Sequence, residues 1–174
     1  GHAHTTELMK QVVRFNEGFF ADGKPIKNPG RPFDFGVACY PEKHEEAPNM
    51  ERDMLYLKEK QELGAQYAVT QLFFDNEKYF AFVERARQMG ITIPIIPGIK
   101  PMAKLSQLTV VPKTFHCDIP EALAREIVEC KTDEDARQLG IEWTTAQCQE
   151  LYRHGVDNIH FYTVSAVDSV VEVV

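Results

Sequence analysis

The chain has 174 residues, 44% of them hydrophobic, 10% aromatic and 26% charged, which excludes a disordered tail or a fibrous repeat. Nineteen Lys and Arg stand against 26 Asp and Glu, so a net charge of −7 argues against a nucleic-acid partner. The apolar runs are far shorter than the ~20 residues of a membrane span, and no secretory signal or CxxC pair accompanies Cys39, Cys117, Cys130 and Cys148, so reduced thiols in a cytoplasmic protein are expected.

Residues 5–20 predict an amphipathic helix, because Leu8, Met9, Val12, Val13, Phe15, Phe19 and Phe20 recur at mixed spacings of three and four. Residues 21–32 place Pro25, Pro29 and Pro32 close to Gly23 and Gly30 and are expected as a loop. From residue 33 to 174 one unit repeats: a short apolar strand, a polar turn, an amphipathic helix, and a Gly before the next strand. Strands are expected at 35–40 (FGVACY), 67–74 (YAVTQLFF), 93–99 (IPIIPGI) and 159–164 (IHFYTV), with helices at 49–63, 76–89, 105–114, 120–130, 132–139 and 144–154. Strands separated by helices pair in parallel with right-handed crossovers, which defines the α/β class. A complete (β/α)₈ TIM-type barrel takes about 250 residues, so four βα units in a single domain amount to half of one. An open half-barrel exposes strand edges and an apolar interior, so closure by something further is expected.

Reactive groups of such barrels gather at the C-terminal ends of strands. Tyr40 offers an aromatic body and a hydroxyl at the first of these ends, suited to a ring system with polar edges, although packing alone would also use it. Gln71 is a donor and acceptor in an apolar strand, where burial without partners would cost about 1–3 kcal/mol, so a ligand or a neighbouring backbone must satisfy it. Asp53 and Lys60 are two helical turns apart and share one face, which lets both meet one extended ligand. Lys60 could neutralise a diphosphate or stand as a solvated helix lysine, and His44 could donate to a phosphate or cap the Glu45-Glu46 turn. Gln107 falls in a short helix where simple exposure is an equal reading. His160 reads as a core histidine, and Glu42, Glu45 and Glu46 as a solvated acidic run. No GxGxxG or Walker loop is present, so a Rossmann or P-loop reading has no support.

The segments GVACYPEKHEEAP, GAQYAVTQLFFD, PIIPGIKP and GVDNIHFYT, in this order and spacing, resemble the flavin-dependent methylenetetrahydrofolate reductases over residues 34–163. That family is a TIM-like barrel that uses FAD to carry a hydride from NADH or NADPH to 5,10-methylenetetrahydrofolate, giving 5-methyltetrahydrofolate in one-carbon and methionine metabolism. The resemblance implies that these are about the last four βα units of the barrel. It further implies that Ala38 and Tyr40 line the flavin, that His44 and Ala47 contact the cofactor, and that Asp53 and Lys60 face its ribityl, diphosphate and adenosine side. Gln71 corresponds to the amide facing flavin and folate pterin, and Gln107 to a second folate-side amide.

Two family features would precede anything in this chain: the general-acid glutamate on the first barrel strand and an Arg-Gly-Asp strand end. Opening the methylene bridge of folate needs a general acid, so this segment is expected to be incomplete for catalysis. Val164-Ser165-Ala166 stand where the family commonly has Leu-Asn-Arg, and Val111 where it often has an aromatic folate contact, which implies altered folate-tail contacts. The expected partners are a folate substrate and either the missing half-barrel or a second copy. Two other readings compete: a non-catalytic half-barrel assembly module closing by homodimerisation, and a lyase or aldolase with Lys100, the only lysine positioned for a Schiff base.

Overall fold

The computed structural model describes residues 2, 4–164 and 166–174; Gly1, Ala3 and Ser165 lie outside the described residues. The first helix, α1 (Thr5–Asn16), ends four residues before the expected point. Gly18 takes a left-handed φ of +86°, and Phe19 pairs with Pro25 in an antiparallel bridge, so the two phenylalanines expected on the helix belong to a turn instead.

Parallel strands then alternate with helices: β1 (Gly36–Cys39), α2 (Met50–Glu62), β2 (Tyr67–Thr70), α3 (Asn76–Gln88) and β3 (Ile95–Ile96). β1, β2 and β3 form one sheet in that order, in the registers Cys39 to Thr70 and Val69 to Ile96. Both crossover helices start on side-chain caps, the Asn49 oxygen accepting from Arg52 N at 2.8 Å and the Asp75 oxygen from Glu77 N at 3.0 Å. They stop at Gly64 (φ +99°) and Gly90 (φ +80°), where only glycine turns the chain without strain.

The expected third strand is divided at Pro97, which has no N–H to donate to a ladder. Residues before it pair with β2, while β4 (Gly98–Ile99) pairs in parallel with β5 (His160–Phe161) in a second sheet. The chain passes directly from one sheet to the other, yet the expected continuous four-stranded sheet is two pieces, and the expected strand 159–164 is two residues long.

Between β4 and β5 run α4 (Gln107–Phe115), α5 (Glu121–Glu129) and α6 (Asp133–Arg153); α7 (Val167–Val173) follows β5. α6 begins with a reciprocal capping box between Thr132 and Asp135 and continues for 21 residues, fusing the two helices expected at 132–139 and 144–154. The Gly between them, Gly140, is buried against the backbone of Met102 and is a point of close approach, not a stop.

Two apolar clusters hold these elements. Val37, Cys39, Ala68, Ile95 and Ile99 pack from one face of the strands onto Met54, Leu57, Tyr79, Phe82 and Leu151. Leu72, Phe74, Met102, Val111, Leu123 and Ile127 form the second cluster beyond the strand ends, between the 72–74 segment and α4–α5. Among the described residues no helix is long and apolar enough to cross a membrane.

Candidate functional site

Side chains alternate across a strand. Since Val37, Cys39, Ala68, Ile95, Ile99 and Phe161 face the helices, the opposite, inner face carries Gly36, Ala38, Tyr40, Val69, Gln71, Gly98, Lys100, His160 and Tyr162. The Gln71 N–H donates to the Cys39 carbonyl at 2.8 Å, which extends the β1–β2 register by one residue and sets Tyr40 beside Gln71 at the C-terminal ends of their strands. The Tyr162 N–H donates to Ile99 O at 2.8 Å, so Lys100 and Tyr162 form the corresponding pair past β4 and β5. Glycines let tyrosines lie across this face: a Cβ on Gly36 would collide with the Tyr67 ring, and one on Gly98 with Tyr162, whose hydroxyl donates to Thr70 O at 2.9 Å.

The residues expected around a cofactor divide by location. Ala38, Tyr40, His44, Asp53 and Lys60 form a connected series along β1, the end strand of its sheet. Asp53, in the first turn of α2, accepts the backbone N–H of His44 at 2.8 Å. The Tyr40 and His44 rings meet edge to face with centroids 4.5 Å apart. Lys60, in the last turn of α2, donates from Nζ to Ala38 O at 3.1 Å. The carbonyls of Phe35 and Cys39 are taken by Gln66 and Gln71 of the next strand, and by alternation Ala38 O points to the unpaired side of β1. Burial lowers the Lys60 ammonium below the ordinary lysine range, opposed by the nearby Asp53 charge. Burial and the same carboxylate raise the Tyr40 phenol.

Ala47 is buried and contributes its carbonyl, not its side chain, to the loop after β1. Lys43 ties that loop together: at φ +79° it donates from Nζ to the carbonyls of His44, Glu45 and Ala47 at 2.8, 3.2 and 2.7 Å. Glu42 is not solvated as the acidic run suggested. Its carboxylate accepts from Lys78 Nζ at 2.6 Å and from Asp118 N at 2.9 Å, and Glu45 pairs with His116 at 2.5 Å, so two acids of the run bind the loop to the segment after α4.

Gln71 is half-buried, and its amide oxygen accepts from Leu72 N at 3.0 Å, so a neighbouring backbone meets part of its demand and the NH₂ remains its donor group. Tyr40, Glu42, Lys43, Gln71, Leu72 and Cys117 line one narrow crevice. Gln107 opens α4 and is half-buried rather than simply exposed, with its amide oxygen accepting from Ala103 N at 2.7 Å across its own loop. Val111 is buried in the second cluster. Of the Val164-Ser165-Ala166 segment, Ser165 lies outside the described residues, Val164 is exposed and Ala166 buried.

His160 is exposed, contrary to its reading as a core histidine, because β5 is paired only with β4; its ring stands edge to face with Tyr162 at 4.6 Å. A larger cavity of about 460 Å³ opens at the other end of the strands, between Phe80, Ile96, His154 and Asp157, away from these rim residues. No group of three or more His, Cys, Asp or Glu among the described residues could hold a metal. Sequence reasoning passed over Tyr162 and the Lys43 tether; the place of Tyr162 depends on the register of Gly98 with the last strand, which the sequence does not show.

Parallel strands alternating with helices, with polar side chains collected at their C-terminal ends, define an α/β protein. The chain belongs to the methylenetetrahydrofolate reductase family, whose sequence model matches residues 24–174. A probable methylenetetrahydrofolate reductase (NADPH) of Caenorhabditis elegans is 37% identical over 149 residues, covering 83% of this chain and 22% of that protein. The 5,10-methylenetetrahydrofolate reductase of Escherichia coli (strain K12) is 37% identical over 137 residues, covering 78% of this chain and 46% of that protein. The chain therefore spans less than half the length of either relative. A solved structure of an uncharacterized protein from Clostridium thermocellum shares the fold at a TM-score of 0.56 and 17% identity, covering 82% of this chain and 52% of that one.

Proposed function

We propose that this chain forms one side of the barrel of a flavin-dependent methylenetetrahydrofolate reductase, about the last four βα units as a single domain of 174 residues. FAD would lie along the β1 edge against Ala38, Tyr40, His44, Asp53 and Lys60, with Ala47 shaping the loop, and a folate over Gln71 with Gln107 on its far side. The observation that carries this is the adjacency of Tyr40 and Gln71 on the inner face, established by the 2.8 Å bond from Gln71 N to Cys39 O. The two kinds of group that a ring cofactor and a pterin need, an aromatic wall and an amide donor, thus stand side by side. The names of the Caenorhabditis elegans and Escherichia coli relatives support a folate reductase, and the Clostridium thermocellum protein is described as binding two copies of 5-methyl-5,6,7,8-tetrahydrofolic acid.

The β1 edge fits a flavin dinucleotide in its chemistry. Ala38 is exposed and small enough for a flat ring to approach the strand. An ammonium has three donors, and Lys60 commits one to Ala38 O, which leaves capacity for diphosphate oxygens. When bound, FAD supplies the hydride carrier between NADH or NADPH and the folate. Gln71 would hold the pterin by its NH₂, and Tyr40 and His44 would exclude water from one side of the ring. The proposal assigns the binding wall to this chain and catalysis to the protein in which it is joined to the remainder of the barrel, in the cytoplasm.

Flavin uptake tests this. Titration of the purified chain with FAD should quench flavin fluorescence, and Lys60→Met should weaken the interaction about tenfold. A chain that remains colourless and leaves FAD fluorescence unchanged would overturn the proposal. The second reading, an assembly module closing on another copy, is favoured by the inner face itself, where Tyr67 is 39% exposed; a colourless, stable dimer in light scattering would support it.

A further inference from the structure

Lys100 is a buried lysine to which the reading above gives no task. It follows β4 directly, beside Tyr162, on the inner face that carries Tyr40 and Gln71. The residue is 4% exposed, and its Nζ is enclosed with no hydrogen-bond partner among the described residues. Two buried amides, Asn76 and Gln147, also keep an oxygen without a partner, but each donates through its NH₂ to carbonyl or carboxylate oxygens, whereas the Lys100 nitrogen donates to none among the described residues. A buried ammonium without a partner costs several kcal/mol, a cost that an anion arriving at this strand end would offset.

We infer that Lys100 is the cationic anchor of an oxyanion-binding position on the inner face, taking one phosphate or carboxylate group of the ligand that lies over Gln71. The inference rests on the reductase reading for where that ligand lies. A lysine is a point charge on a flexible four-carbon stem, so its head can move from its enclosed resting place toward an arriving anion. Tyr162, held over Gly98 by its bond to Thr70 O, forms the wall beside it. Two sources share this chemistry, the diphosphate of a dinucleotide and the carboxylate of a folate.

The test uses the chain as it is, with inorganic pyrophosphate and p-aminobenzoylglutamate as separate probes, followed by calorimetric titration and thermal melting. The wild type is expected to bind at least one probe, and the probe bound identifies the source. Lys100→Met, which keeps the stem and removes the charge, is expected to weaken that binding about ten- to a hundredfold, the range of a charge-assisted hydrogen bond. Without any probe the same variant should melt higher than the wild type, because an unpaired cation has been removed. Equal binding of both probes by wild type and variant, or a lower ligand-free melting temperature of the variant, would overturn the inference. Should Lys100→Met fail to fold, Lys100→Gln carries the same comparison. Anion binding that depends on Lys100 in a chain that ignores FAD would sink the reductase reading alone; FAD binding with no dependence on Lys100 and no anion effect would sink this inference alone.

Discussion

Gly140 lies directly against Met102: a Cβ on Gly140 would overlap the Met102 carbonyl and approach its amide nitrogen to 2.9 Å. The centre of α6 is thereby seated on the segment that leaves β4, one residue pair beyond Lys100. Gly140→Ala should force the two apart and cost about 3 kcal/mol, the upper range for inserting volume into a packed site. Urea denaturation would measure it, and a loss below about 0.5 kcal/mol, typical of an exposed helix position, would show that the helix does not sit there.

The alkaline limb of stability isolates Lys100. Burial lowers its proton affinity in the folded chain, so the unfolded chain binds more protons between that lowered value and the ordinary lysine value near 10.4. Stability contributed by this group therefore rises with pH through that window. Lys100→Met should exceed the wild type in stability near neutrality, and the gap should shrink towards about pH 10. Denaturant midpoints across this range give the answer directly; a gap constant with pH would mean that the ammonium is paired.

The thiols should differ in reactivity by burial. Cys117 is buried and its thiol is pushed up to about 12, with the Glu42 charge adding to the effect of burial, while burial raises Cys148 to about 11. Cys39 is buried in the first cluster and shifts further in the same direction. Cys130, half-exposed at the C-terminal end of α5, is raised by what burial it has and by the charges of Asp135 and Glu126. Iodoacetamide near about pH 8 should modify Cys130 first and leave Cys39 and Cys117 intact until the chain unfolds. Peptide mapping against time would show the order.

Asn76 links two elements by donating to Gln147 O at 3.0 Å and to the Glu150 carboxylate at 2.6 Å. From the same helix, Gln147 and Trp143 donate to Phe73 O and Phe74 O, each at 3.1 Å, and so hold the segment just after Gln71. Asn76→Ala should cost about 3 kcal/mol, since one of its bonds reaches a charged group. Trp143→Phe keeps the ring and removes one donor, with an expected cost of about 1 kcal/mol. Thermal denaturation of both variants tests the ranking.

Much of the architecture was legible because apolar periodicity and helix caps are local signals. Asn49, Asp75 and Thr132 all cap the helices that follow them, and Gly64 and Gly90 turn the chain where the repeat placed them. The failures are where a residue answers to a distant neighbour. Gly140 resembles a stop, yet its role is set by Met102; Pro97 looks like the interior of one strand, yet its missing donor divides the ladder; His160 occupies a strand that pairs, among the described residues, with β4 alone. The rim was readable in part. Tyr40 stands out by its place at a strand end and Gln71 as a polar residue in an apolar strand, whereas the engagement of Glu42 depends on Lys78 and Asp118, far along the chain.

The lysine that rests on Ala38 acts as a stopper in an otherwise sticky flank. Any strand that zips onto that flank must evict it, and any phosphorylated guest recruits the same ammonium. Joining and guest uptake would then be coupled through one charge. The chain would accept a neighbour most readily when the guest is already there to hold the displaced lysine, which makes the order of assembly a matter of which arrives first.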